Sequence, residues 1–459
     1  MSREPVTLIF DIGKTTKKAL LFDGLFNVLE EHTEVLPETI DDDGFPTEDL
    51  ALVSDWVLQA FKYYTTHPHF KVTHCNISAY GASLAHLDKN SERIKPFYNY
   101  IKPLPASSLA AFRSKYDKDN GIARTTASPL LGLLNSGLQL FWLKREKASL
   151  FESIGTSLHL PQYFTWLLTG MRFTDITSIG CHTMLWDFNK NSYHEWVSKE
   201  QLIILFPKIY QADHTFNITI DQQTITMGIG VHDSSAALMP YLVSQDQPFL
   251  LLSTGTWNIC FNPFNSNPLT HEELAADCLS YLTFDGKPVK ASRIFLGHEH
   301  ELQAAALTKY FGVPSNTYSE LTFDDGIYDE VTSPEFSDRP FYPVGMEGTG
   351  PIPNRSLVQT DLSAFKNFEQ AYMQLVRYLV LWQLMSIDLV DPAHRVHNII
   401  VVGGFTKNSI FLEMLKRLCP SRNVMVSDHP RASALGAAWL VNGSAAYKGK
   451  EHLLTVKNA

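Results

Sequence analysis

Three stretches of the chain carry side chains whose types and spacing suit group transfer. Between Gly228 and Ala237, His232 and Asp233 sit on a glycine-flanked turn that leads into a run of small, helix-compatible residues. A carboxylate at the lip of such a turn can take a proton from a hydroxyl, and the adjacent imidazole can orient the same molecule. Twenty residues after Asp233, the apolar run Phe249–Ser253 opens into Thr254, Gly255 and Thr256. Backbone amides and hydroxyls on a permissive glycine turn of this kind suit a phosphate. Near the start, Val6–Phe10 runs into Asp11, Gly13, Lys14, Thr15 and Thr16, and a second apolar run, Ala19–Phe22, follows. That pattern predicts a β-hairpin with amides, hydroxyls and ammonium groups at its tip, and with Asp11 placed to hold Mg²⁺ through water. The spacing is not that of a Walker loop, and a plain hairpin with a charged tip accounts for it equally well. A base and a phosphate cradle so close in sequence suggest transfer of a phosphoryl group to a hydroxyl.

The elements that would position these groups alternate between strand and helix patterns. Residues 48–66 carry helical apolar spacing, and His74–Gly81 reads as a strand ending in a glycine, followed by Ala82. A strand end is where α/β proteins often place ligands. Tyr98, Asn99 and Tyr100 could offer rings and an amide to a sugar, although ordinary loop aromatics explain them too. From 125 to 198 the pattern is helical, with Pro161 opening one helix and Gly170 closing it. His182 and Asp187 follow on a polar turn and read as structural caps.

A helix is expected at Glu299–Tyr310 and a long amphipathic one at Phe368–Leu389, separated by a proline- and glycine-rich surface excursion over 311–356. His397–Val402 then reads as a buried parallel strand opening into Gly403, Gly404 and Asn408, with a helix over Ile410–Leu418 and a small-residue helix around Gly436. Each half opens with a hairpin-type turn (11–16 and 253–256) backed by strands and helices. The expectation is two related α/β domains, 1–240 and 241–459, facing a cleft.

Composition agrees with a globular core and narrows the classes of partner. The chain has 459 residues, of which 44% are hydrophobic and 19% charged, with a net charge of −10. That balance offers no nucleic-acid footprint. Five scattered cysteines without paired-motif spacing read as reduced, buried thiols. The start reads as no signal peptide and the apolar runs read as too short to span a membrane, so a cytoplasmic protein is expected.

Taken in order, these pieces resemble the FGGY family of carbohydrate kinases over nearly the whole chain. The matching residues are Asp11 to Thr16, Trp142 to Lys144, Tyr163 with Thr169 and Gly170, Thr174 and Asp175, His232 to Ala236, Ser253 to Trp257, Gly403 and Gly404 with Asn408, and Ala434 to Ala438. His232-Asp233 and Ser253 to Trp257 are most similar to the rhamnulokinase and fuculokinase branch.

The resemblance implies two ribonuclease-H-like (actin-like) domains closing around ATP, Mg²⁺ and a sugar. It implies Asp233 as general base, and His232, Gly81, Ala82, Tyr98 and Asn99 on the sugar. Gly13, Lys14, Thr15, Thr16, Gly255 and Thr256 would lie on the phosphates, Gly403, Gly404 and Asn408 on the adenosine side, and Asp11 with Asp233 beside the metal.

The implied reaction is phosphorylation of a ketose such as L-rhamnulose or L-fuculose at O1. Xylulose, ribulose or glycerol kinases, a sugar and nucleotide sensor, and an actin-like ATPase are the alternatives. Sugar and ATP are the expected partners, with a homodimer as the assembly considered and neither nucleic acid nor membrane. Lys14, the Tyr98–Tyr100 stretch, Phe405 after the glycine pair, and Arg431 to Ser433 without a glutamate all depart from the family pattern.

Overall fold

The computed structural model describes residues 3–337, 339–352, 359–427, 429–449 and 453–459. Two twisted sheets dominate it. In the N-terminal sheet the strands run in the order Thr215–Ile220, Gln223–Gly228, Phe70–Ala79, Glu4–Ile12, Lys17–Phe22, Val28–Glu34. Glu4–Ile12 and Lys17–Phe22 form the expected hairpin, and Phe70–Ala79 returns parallel to the first strand after the helix Leu50–Thr65. A short strand, Val231–His232, also pairs parallel with Phe70–Ala79, matching His232 to Ala79.

The C-terminal sheet repeats this logic in the order Leu279–Leu282, Pro288–Ile294, Asn258–Asn262, Phe249–Thr254, Asn398–Gly403, Asn423–Val426, Lys457–Asn458. Its central strand, Phe249–Thr254, is antiparallel to Asn258–Asn262 and parallel to Asn398–Gly403. Both central strands are mostly apolar and buried, over Val6–Phe10 and Phe249–Leu252, as a strand covered on both faces requires.

The helix Asp233–Ser244 lies between the sheets. Ala236 and Met239 pack among Ile9, Leu20 and Val231 of the N-terminal half. Leu238 and Tyr241 pack with Phe249 and Leu251 of the C-terminal half. The expected boundary at 240 therefore falls inside a helix that serves both halves. The helix Ala432–Asn442 crosses back over it: a Cβ on Gly436 would stand 1.9 Å from the Ala236 carbonyl oxygen, so only glycine permits the crossing. Asn76 Nδ2 donates to the Ala437 carbonyl at 3.0 Å and fixes that helix to the N-terminal sheet.

Two expectations need correction. The 311–356 stretch is not merely a surface excursion, because Val331, Phe341, Met346 and Ile352 are buried in the C-terminal core; 353–358 lies outside the described residues. A buried carboxylate organises the turn. Glu299 accepts hydrogen bonds from the amides of Val344 (3.0 Å), Gly345 (2.6 Å) and Met346 (3.0 Å), and from Gln303 Nε2 (2.7 Å). Phe368–Val390 is, by length and composition, long and apolar enough to cross a membrane, contrary to the reading of the apolar runs. Its Leu375, Val376, Leu379 and Val380 fill the core of the C-terminal half. All five cysteines are buried and unpaired by disulfides, as expected.

Candidate active site

Strand register assembles the centre. Asp11 pairs with Ser78 and His232 with Ala79, so Asp11, Gly81 and His232 all lie at or just past the carboxyl ends of three neighbouring parallel strands. Ligands collect at such ends because the strands stop there and their loops diverge. Gly81 comes so close to His232 that an added Cβ would stand 2.8 Å from Nε2. Ala82 holds a left-handed backbone, φ 68°, which a non-glycine residue adopts only at a cost, and such strain concentrates at functional sites.

Asp233 begins the helix between the sheets, and its carboxylate lies 3.3 Å from His232 Nε2. No lysine or arginine pairs with it among the described residues. Desolvation pushes its pKa up to about 6, against the pull of hydrogen bonds from Ser234. Burial lowers His232 to about 4, so the ring is neutral near pH 7 and the contact is not an ion pair. The His232 amide donates to Thr177 Oγ1 at 3.0 Å, and the ring stacks on Tyr281 with centroids 5.6 Å apart. Ser235 Oγ donates to the Leu282 carbonyl at 2.8 Å, pinning the start of the helix to the C-terminal sheet. Asp11 is also raised to about 6: burial is the largest cause, a hydrogen bond from Ser433 Oγ at 2.9 Å opposes it, and the negative charge of Asp233 adds to the rise.

The first turn closes through Gly13 N donating to the Thr16 carbonyl at 2.9 Å, with Thr15 exposed at its tip. Lys14 does not stand free there; it pairs with Glu38 at 2.6 Å. Lys17, unremarked in the sequence, is fully buried and donates to the Lys14 carbonyl at 2.9 Å and to Glu48, whose carboxylate also accepts from the Tyr80 hydroxyl. Glu38 and Glu48 belong to one hairpin, Glu38–Ile40 paired with Pro46–Glu48, which clips the turn to the loop carrying Gly81.

The second turn exposes Gly255 and Thr256. Gly403, φ 90°, presses against Thr254, whose hydroxyl donates to the Val402 carbonyl at 2.6 Å and accepts from Phe405 N at 3.0 Å. A cleft of about 550 Å³ opens beside it, lined by Gly255, Thr256, His300, Tyr318, Gly404 and Asn408 among others. Asn408 has little side chain to spare: Oδ1 caps the helix Ser409–Leu418 and Nδ2 donates to the Tyr372 hydroxyl at 2.9 Å. His300 shares that hydroxyl at 2.9 Å. Tyr318 was missed in the sequence because it lies in the 311–356 stretch read as a surface excursion.

Tyr98 and Asn99 are corrections. Tyr98 is buried against Trp142, centroids 4.9 Å apart, and donates to Asp42 at 2.9 Å. Asn99 donates to the Pro46 carbonyl at 3.0 Å and accepts from Ile101 N. The Tyr98 hydroxyl and Asn99 Nδ2 hold the 38–48 hairpin, while Asn99 Oδ1 holds the local turn at Ile101. Tyr100 is the member of the trio turned to the site: it lies 5.7 Å from Tyr80, and its hydroxyl acidity is suppressed by burial and by the charges of Asp233 and Glu48. Asp187 caps its turn as expected, accepting from the amides of Asn189 and Lys190 at 3.0 Å, but His182 caps nothing.

The N-terminal domain of the FGGY family of carbohydrate kinases matches residues 6–238, and the family's C-terminal domain matches 246–450. The chain belongs to the FGGY family of carbohydrate kinases. A rhamnulokinase of Bacteroides thetaiotaomicron is 23% identical over 269 residues; the match covers 54% of this chain and 53% of that relative, so it spans about half of each. Among solved structures, a carbohydrate kinase from Novosphingobium aromaticivorans superposes with a TM-score of 0.77 at 26% identity, covering 95% of this chain and 93% of that one. A xylulose kinase from Lactobacillus acidophilus shares the fold at 15% identity, with a TM-score of 0.80 and coverage of 99% and 93%. The fold is therefore the two-domain, actin-like α/β architecture of FGGY sugar kinases.

Proposed function

We propose that this FGGY chain transfers the γ-phosphoryl group of ATP to a ketose hydroxyl, with L-rhamnulose or L-fuculose phosphorylated at O1 as the leading substrates. The observation that carries the reading is Asp233, a carboxylate that no lysine or arginine pairs with among the described residues, at the start of a helix shared by both halves and with a pKa of about 6. At pH 7 such a group is ionised yet basic enough to accept a hydroxyl proton as the oxygen attacks phosphorus. His232, neutral and 3.3 Å away, orients the same hydroxyl. The rhamnulokinase relative supports the choice of sugar.

The 550 Å³ cleft suits the adenosine, with Gly404 and Asn408 along its wall, and the turns at Gly13–Thr16 and Gly255–Thr256 receive the phosphates. Asp11 and Asp233 fit Mg²⁺: they are neighbouring carboxylates, and the charge of Asp233 raises the pKa of Asp11, which a hard cation would relieve. When bound there, Mg²⁺ would neutralise phosphate charge. The chain's own work is positioning the hydroxyl and removing its proton, while closure excludes water.

The test is ADP formation with L-rhamnulose, L-fuculose, D-xylulose, ribulose and glycerol. Asp233→Asn should lower kcat by about 10²- to 10⁴-fold, the usual worth of a general base, and leave ADP affinity unchanged. A variant keeping more than a tenth of wild-type kcat sinks the assignment.

A further inference from the structure

His182 is buried in the wall of the site, and nothing so far gives it a task. Its backbone is anchored, since Asn135 Nδ2 donates to its carbonyl at 2.8 Å. Its ring stands 6.3 Å from that of His232 and 5.9 Å, edge to face, from that of Tyr281, the residue on which His232 stacks. The preceding residue, Cys181, lies within 3.3 Å of where a Cβ on Gly81 would be. His182 thus belongs to the surface formed by Gly81, His232 and Asp233.

Both ring nitrogens of His182 are buried and without a hydrogen-bond partner among the described residues, as is Nδ1 of His232. Burial, and after it the nearby His232, Arg293 and His159, hold the His182 pKa well below its ordinary value, so the ring is a neutral imidazole with one donor and one acceptor. Buried polar atoms almost always find partners, and three orphans on two neighbouring rings beside the proposed base mark a place where a ligand supplies them. Hydroxyls are the matching chemistry, because each can donate and accept at once, whereas a carboxylate could use only the donors.

We infer that His182 is a substrate contact which, with His232, reads two hydroxyls of an uncharged polyol and sets which sugar is accepted. This rests on the ketose reading above. A site built to pair with a hydroxyl rejects the analogue lacking it far more strongly than an apolar pocket can, so His182 would discriminate among stereoisomers rather than drive the chemistry.

The experiment compares wild type, His182→Phe and His182→Asn on L-rhamnulose, L-fuculose and D-xylulose, with ADP binding by calorimetry as a control for folding. His182→Phe keeps the ring against Tyr281 but removes both polar atoms. It should raise KM for the preferred ketose about tenfold or more, change kcat by less than about threefold, and narrow the preference between ketoses. His182→Asn, which keeps a donor and an acceptor, should recover part of the loss and serves alone should the Phe variant not fold. A His182→Phe enzyme with unchanged KM and preference, or a His182→Asn enzyme indistinguishable from wild type when the Phe variant does not fold, overturns this inference while the kinase reading stands. Wild type inactive on every ketose overturns the substrate reading, and this inference with it.

Discussion

Replacing Gly81 with alanine tests how finely the His232–Asp233 pair is set. The backbone at Gly81 lies outside the left-handed region, so alanine meets no conformational penalty and only the added methyl matters. That methyl would fall 2.8 Å from His232 Nε2 and 3.0 Å from Cδ2, where ordinary contact begins at 3.4 Å, with Cys181 Sγ at 3.3 Å on its other flank. His232 must then yield by at least 0.6 Å (3.4 minus 2.8) at the nitrogen that faces Asp233, and its stacking on Tyr281 leaves little room for retreat. A displacement of about 1 Å can cost about 10²-fold in rate, so a shift of this size should lower kcat/KM roughly 10- to 50-fold. Overpacking should destabilise the protein by about 1–3 kcal/mol. The assay is ketose-dependent ADP release, with ADP binding and thermal melting as controls. A kcat/KM within twofold of wild type would refute the idea that Gly81 is there to seat the imidazole.

Three further outcomes are expected. With Asp233 and Asp11 both near pKa 6 and electrostatically linked, kcat/KM should fall about tenfold per pH unit below an apparent pKa of about 6, and a profile flat to pH 5 would contradict it. The sign for stability is opposite: both groups bind protons more tightly folded than at the ordinary value of 3.8, so Mg²⁺-free protein should lose stability from these groups as pH rises from about 4 to 6, read from melting temperature. Glu299→Gln leaves a single acceptor oxygen and turns an NH₂ toward the Val344–Met346 amides; it should destabilise the C-terminal half by about 2–4 kcal/mol and weaken ADP binding, and an unchanged denaturation midpoint would be the contrary result.

What the sequence disclosed was what is locally encoded. The hairpin turn at Gly13, the strand entering Thr254, the glycine pair at 403–404 and the His232–Asp233 pair each announce themselves within a few residues, because turn chemistry and strand periodicity act at that range. Side-chain direction does not. Tyr98 and Tyr100 are two apart, yet one is claimed by Asp42 and Trp142 and the other faces Tyr80. Lys14 stood among the residues expected on the phosphates, and only the fold shows that Glu38 pairs with it while Lys17 lies buried under the same hairpin. His182 looked like a cap because caps are common on polar turns; its orphaned nitrogens are visible only in three dimensions. The 311–356 stretch misled for a related reason: its prolines and glycines signalled a loop correctly, but nothing local reveals that Glu299 gathers its amides and buries Phe341 and Met346.

The helix Asp233–Ser244 has one further consequence. Its two faces are held by different halves of the molecule, and its first residue is Asp233, the base we propose. Loosening either face of this rod would therefore disturb two things together, the packing between the halves and the aim of the carboxylate at its tip.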